Sequence, residues 1–460
     1  MRLRYWQEKC VSTAIRRFNL GQKHFMVLAT PGAGKTLMAA TIAKQLIDGD
    51  KIDYVICFAP SVAVVNSMQS TFSNLLSKSM HGQLGAIGGV YTYQYLASSK
   101  KADWGFMKSS RVLVVFDEIH HCSGDKPELA NAWGREVLRS LGCHSTFILS
   151  MTGTPWRSDQ GPISLAHYIE PKKTIHCDYV YGIADAIRDG VCRLPEVVLI
   201  DNDKLQVNDE TYDSLKSAMT HSELKYSALL ADNKALRYVL TKAVQQLCTA
   251  RLEHSNAGGL VVASSVSEAK RIKHILQYEL NQTAEMVTYK EQSPQAIIEN
   301  FRTSDTQWIV SVSMVSEGTD IPRLRVCAHL SLVRTELFFR QVLGRILRLM
   351  PGIVNNKAWL ISFAEESLLE FAQRLQQDIP EEIIRIEKVD LPEHHEPLSV
   401  TEKGLNTSQP SKLFALGENW NHAESALGEN LANTALIFNL AGSYRQQVFS
   451  IFEESAPGRC

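Results

Sequence analysis

Short apolar runs alternate with longer stretches of helical pattern along most of this chain, and that alternation admits few architectures. Met26–Ala29, Tyr54–Phe58, Val112–Phe116 and Thr146–Ser150 read as buried strands. Each is followed by a polar turn and then, as a rule, by a helical stretch long enough for a crossover, which is the signature of a parallel sheet. A second series starts at Glu196–Ile200 and continues through Gly259–Ala263, Trp308–Val312, Val326–Leu330 and Ala358–Phe363. Between the first two of these, residues 206–254 read as helical. The expected fold class is therefore α/β, with two tandem parallel-sheet domains over residues 1–180 and 181–365.

Beyond residue 365 the pattern changes. Residues 366–388 read as helical, and about 390–413 are polar with several Pro, His and Ser residues, like a linker. Over 431–454, Ile437, Leu440, Ala441, Tyr444, Val448, Ile451 and Phe452 fall on one helical stripe. The expectation is an acidic, mostly helical C-terminal extension over 366–460. Its last stripe either packs on the body, the preferred reading, or waits for a partner helix.

Composition narrows the function classes. Of 460 residues 45% are apolar and 21% charged, the balance of a globular chain with real cores. No apolar run reaches the length of about 18 residues that a membrane span requires. The N-terminal residues lack the apolar segment of a secretion signal, so a cytoplasmic location is expected. Nine scattered cysteines include no Cys-x-x-Cys pair, which argues against a zinc site or a disulfide framework. The net charge of −1 hides an asymmetry: residues 365–460 carry −9, leaving +8 on residues 1–364. A basic body suits a nucleic-acid partner, and the acidic tail could compete with nucleic acid for it.

The segment Ala29–Thr36 follows the first apolar run and precedes a helical one. Gly32 and Gly34 let backbone N–H groups turn inward around phosphate oxygens at a helix N-terminus. Lys35 would reach the β- and γ-phosphates of a nucleotide, and Thr36 would offer its hydroxyl to Mg²⁺. Pro31 and Ala33 complete the loop; Ala29 stands where the strict pattern has glycine. The spacing and context specify a nucleoside-triphosphate site, with ATP and Mg²⁺ as the expected ligands.

Val112–Phe116 ends in Asp117 and Glu118. Side chains alternate along a strand, so these neighbouring acids must diverge. Asp117 is the expected Mg²⁺ ligand and Glu118 the base that orients the attacking water. The alternative, two acids merely leaving the core, loses force beside Lys35. His120, His121 and Cys122 lack the spacing of a metal site, and His120 is expected to hydrogen-bond to the next strand end.

Taken in order, these motifs resemble those of a superfamily 2 helicase of the DExH-box type, over about residues 3–365. Leu3–Gln7 resembles the adenine-reading motif, which implies that Gln7 binds the base. Ala59–Ser61 and Val90–Gln94 resemble segments that hold the nucleic-acid backbone, which implicates Pro60, Ser61, Thr92, Tyr93 and Gln94. Ser150–Arg157 is similar to the motif linking ATP state to strand contact. Gly258–Ser265 resembles the opening motif of the second domain, with Ser264 a strand contact. Ser313–Pro322 and Gln341–Arg348 are the most specific downstream matches. In the first, Ser313 would touch the strand, Gly318 would allow a tight turn, and Asp320 would contact ribose or the bound water. In the second, Gln341, Arg345 and Arg348 fall on one helix face and would act at the γ-phosphate as catalytic groups. A surface helix carrying arginines to solvent is the bland alternative, and Gly344 argues against it, because a helix interior tolerates glycine at a cost of about 1 kcal/mol. Ser67 and Met68 depart from the Gln-Trp pair frequent in the family, so strand gripping there would differ.

The resemblance implies two RecA-like domains and ATP-driven movement along, and unwinding of, nucleic acid, with DNA favoured over RNA. An RNA helicase and an ATP-switched clamp or loader that does not unwind are the alternatives. A replication, recombination or repair protein is a partner candidate for the C-terminal extension.

Overall fold

The computed structural model describes residues 2–98, 104–124, 126, 130–154, 162–169, 174–312, 321–350, 357–377, 386–389 and 438–450. They form two compact units, divided between Asp189 and Gly190.

The first unit is built on six parallel strands. In chain order these are β1 (His24–Ala29), β2 (Tyr54–Ala59), β3 (Gly88–Thr92), β4 (Val112–Asp117), β5 (Phe147–Thr152) and, after a short antiparallel hairpin of β6 (His167–Ile169) and β7 (Thr174–His176), β8 (Tyr179–Tyr181). Their spatial order is β3-β2-β4-β5-β1-β8. Both faces of the sheet are covered, so its central strands bury nearly every side chain. From Val112 to Phe116 none is exposed at all, which explains why they read as unbroken apolar runs. Each such side chain contributes about 1.5–3 kcal/mol of burial free energy. The order sets β1, β5 and β4 side by side, so the loops leaving their carboxyl ends converge where open α/β sheets bind ligands.

The second unit carries an eight-stranded sheet. Its strands are β9 (Leu194–Asn202), β12 (Gly258–Ala263), β13 (Ala284–Val287), β14 (Trp308–Ser311), β15 (Leu324–Leu330), β16 (Lys357–Phe363), β17 (Ile386–Val389) and β19 (Tyr444–Ser450), in the order β13-β14-β12-β15-β16-β9-β19-β17. The six from β13 to β9 are parallel, and β19 and β17 are antiparallel additions. The helix Asn233–Glu253 is started by the Asp232 carboxylate, which accepts from Ala235 N at 2.7 Å. It buries Leu236, Val239, Leu240, Ala243 and Leu247 in the core of the sheet, the three-and-four spacing of one helix face.

Two expectations are corrected here. Residues 206–254 are not helical throughout: β10 (Leu205–Val207) and β11 (Glu210–Tyr212) form a hairpin first. Asn208, at the turn, has a φ of +53°, a conformation asparagine tolerates better than most residues. Near the C-terminus, the described residues form β18 (Phe438–Leu440), paired with β10, and β19, paired with β9 from Tyr444↔Asn202 to Ser450↔Glu196. Tyr444 and Val448 are spaced by four, which puts them on one face of β19 as it would of a helix, whereas Leu440 ends β18. Gly442 breaks any helix and lets the turn lie against Asp203 and Lys204, where a side chain would clash. The described part of the stripe, from Leu440 to Val448, therefore completes the second unit instead of waiting for a partner; Ile437, Ile451 and Phe452 lie outside the described residues. The C-terminal stretch keeps the helix Glu366–Gln377; the expected linker lies outside the described residues.

Candidate active site

Local sequence fixes the phosphate loop. Gly32 and Gly34 have φ of +81° and +95°, and Gly34 immediately precedes the helix Lys35–Asp48. A Cβ on Gly34 would stand 2.7 Å from Gln7 Nε2 and displace the end of that side chain, and the backbone conformation itself favours glycine there. Gln7 is buried in the helix Tyr5–Asn19. It donates to Gly34 O at 2.9 Å and accepts from Arg4 N at 2.8 Å. Arg4 Nη1 donates to Ala33 O at 2.7 Å. The N-terminal segment thus lies directly on the loop, and Arg4, which sequence reasoning missed, sits three residues before Gln7. Thr36, the second helical residue, is half-buried.

Lys35 is 9% exposed. Its ammonium donates to Glu118 Oε1 at 2.9 Å and to Ala29 O at 3.2 Å. Glu118 stands just past β4 with a φ of +53°, an uncommon conformation for a side chain of this length. That turn separates it from Asp117. The other Glu118 oxygen accepts from Gly153 N at 2.9 Å and Thr152 Oγ1 at 3.2 Å, beside β5. His120 Nδ1 lies 2.9 Å from Thr152 Oγ1, the strand-end partner expected for it. Burial pushes the Glu118 carboxyl upward, but Lys35 and His120 outweigh it and hold the group well below the carboxylate range.

Asp117 is treated oppositely. Burial, and then the charge of Glu118, raise its carboxyl above the ordinary range. Its Oδ1 is buried with no hydrogen-bond partner among the described residues. An orphaned buried carboxylate oxygen is a donor of the kind that suits Mg²⁺.

The nucleic-acid candidates are distributed more loosely. Ser61 caps the helix Val62–Leu76, accepting from Val64 N, and Pro60 is half-buried before it. Thr92 accepts from Tyr95 N, and Gln94 is half-buried. Tyr93 differs from expectation. It is fully buried, and its hydroxyl donates to Asp117 O at 2.8 Å. It cannot offer its ring to a strand; it ties the segment Val90–Gln94 to the carboxylate strand.

In the second unit, Ser264 follows β12 and is half-buried. Gln341 and Arg345 lie on the helix Glu336–Ile346, both half-buried, with Gly344 buried. The helix ends before Arg348, so the shared helical face is corrected for that residue: its backbone bridges to Cys192 instead. Ser313, Gly318 and Asp320 lie outside the described residues.

The comparisons agree with this layout. A family model for the type III restriction enzyme res subunit matches residues 1–157, and one for the helicase conserved C-terminal domain matches residues 240–350. The chain is 30% identical to the uncharacterized protein Rv2917 of Mycobacterium tuberculosis over 75% of this chain and 59% of that protein. It is 24% identical to the DNA 3'-5' translocase XPB2 of Sulfurisphaera tokodaii over 72% of this chain and 76% of that one. The chain spans about three-fifths of the length of the mycobacterial relatives it matches. Among solved structures, a fragment assigned to the HsdR subunit of a type I restriction enzyme from Vibrio vulnificus YJ016 superposes with a TM-score of 0.55 at 17% identity, covering 80% of this chain and 65% of that one. Two parallel-sheet units, each matched by its own helicase-family model in the proper order, place the chain among the superfamily 2 helicase-like proteins.

Proposed function

We propose that the chain hydrolyses ATP to translocate along DNA. The observation that carries this reading is the meeting of Lys35 with Glu118, next to Asp117, at the ends of the strands that flank β5, where the loop turns through the positive-φ Gly32 and Gly34. The DNA preference is supported by the XPB2 translocase among the relatives.

Lys35 is shared between Glu118 and Ala29 O. ATP phosphates arriving in the loop offer that ammonium a more highly charged partner, so Lys35 turns from Glu118 to them. Loss of the cation raises the basicity of Glu118, which Gly153 N and Thr152 still orient. The freed carboxylate then positions water and accepts its proton. Mg²⁺, when bound with ATP, would be held by Thr36 and Asp117 and would neutralise phosphate charge. Gln7 reads the adenine after exchanging its bond to Gly34 O. Arg345 and Arg348 supply positive charge for the γ-phosphate as it leaves. Tyr93 gives the strand-holding segment a direct connection to Asp117.

The test is ATP hydrolysis with single-stranded, duplex and forked DNA and with RNA, coupled to strand displacement. DNA stimulation that falls steeply with salt is expected, because phosphate contacts dominate such binding. Equal or greater stimulation by RNA would reassign the substrate. Robust hydrolysis without displacement on any duplex would leave a translocase or a switch.

A further inference from the structure

Arg193 belongs to the segment that enters the second unit, and its guanidinium is wholly buried. Among the described residues its hydrogen-bond partners are carbonyls, with no carboxylate. Nη1 donates to Leu324 O at 2.7 Å and Ile346 O at 3.0 Å, and Nη2 donates to Pro322 O at 3.0 Å. Its backbone N–H donates to Leu347 O at 2.8 Å, and Cys192 bridges in antiparallel fashion to Arg348. Ile346 is the last residue of the helix Glu336–Ile346, where helix carbonyls lack intrahelical donors and cations are favoured. The other end of that helix is held by the Thr335 cap and by Glu336 paired with Arg374 at 2.7 Å.

Arg193 and its neighbour thus grip the chain between Arg345 and Arg348, at Ile346 and Leu347, and at Arg348 itself. The same guanidinium holds Pro322 and Leu324, the residues that follow the segment 313–320. We propose that Arg193 is a positioning residue through which the segment joining the two units sets the register of Arg345 and Arg348 for ATP hydrolysis. The inference rests on the role proposed above for those two arginines. A planar fork serving three carbonyls is a task that lysine, a point donor on a flexible stem, cannot reproduce. A shift of about 1 Å in a catalytic group can cost up to about a hundredfold in rate.

The test compares Arg193→Lys, Arg193→Met and Arg345→Ala in the full chain, with thermal melting to establish folding. Steady-state hydrolysis is measured with single-stranded DNA, and the affinities for ADP and for ADP–aluminium fluoride are measured separately. Arg193→Lys is expected to lower kcat by roughly ten- to a hundredfold with KM for ATP unchanged. It should lose preference for ADP–aluminium fluoride over ADP by the same factor, while melting as a folded protein. Wild-type kcat in a folded Arg193→Lys overturns the inference, as does a parallel fall of kcat and ADP affinity. Loss of folding in both Arg193 variants assigns the residue to stability alone and also overturns it. Wild-type hydrolysis by Arg345→Ala would instead defeat the underlying reading of the arginines, which separates the two failures.

Discussion

Lys35 Nζ lies 2.9 Å from Glu118 Oε1, joining the phosphate loop to the end of β4. Each partner is held from its other side, Lys35 by Ala29 O and Glu118 by Gly153 N. The pair is therefore poised to exchange partners with little movement of the backbone.

Lys35→Ala should lose nucleotide affinity and hydrolysis together, since it removes the phosphate ligand and leaves Glu118 without its cation. Equilibrium binding of a labelled ATP analogue checks this. Affinity within about twofold of wild type would be too small a change, under about 0.5 kcal/mol, for a direct phosphate contact.

Arg345→Ala should lower hydrolysis by about a thousandfold or more while ATP affinity changes little, the behaviour of an arginine acting on the transition state. Single-turnover hydrolysis alongside binding distinguishes this from a loss of affinity alone, which would contradict the role.

Tyr93→Phe removes the hydroxyl that donates to Asp117 O within the core. It should cost about 1–3 kcal/mol of stability, seen as a lower denaturation midpoint of the first unit. An unchanged midpoint would show that Asp117 O finds another donor.

His24 and His329 predict an acid limit to stability. Burial lowers both to about 4, and neither ring nitrogen of His329 has a hydrogen-bond partner among the described residues. As pH falls through about 6.5 the unfolded chain takes up protons that the native imidazoles refuse. Their stability contribution is complete above that pH and is lost on the way down towards 4. The slope approaches about 1.4 kcal/mol per pH unit for each histidine. Denaturant unfolding at pH 8, 6 and 5 checks this, and His329→Leu should flatten the profile. A profile unchanged by His329→Leu would contradict the assignment.

Much of the site was legible because its chemistry is local. The loop from Ala29 to Thr36 and the Asp117–Glu118 pair each sit within one strand-and-turn, so a short pattern suffices to locate them. Tyr93 was misplaced because its partner, Asp117 O, is 24 residues away, and no local pattern says that a tyrosine faces inward. Arg193 was missed for the same reason: its three carbonyl partners are 129 to 153 residues distant. The terminal strand was read as a helix because spacings of four satisfy both periods, and only the unpaired edge of β9 decides between them. The hairpin at Asn208 did carry a local signal, the Asn-Asp turn.

The most direct measurement of the central claim is turnover by Glu118→Gln at saturating ATP and single-stranded DNA, with ATP binding measured in parallel. Loss of hydrolysis by roughly a hundredfold or more, with ATP still bound, is the result predicted for a carboxylate that acts on water. Turnover at the wild-type rate would contradict it and remove Glu118 from the chemistry.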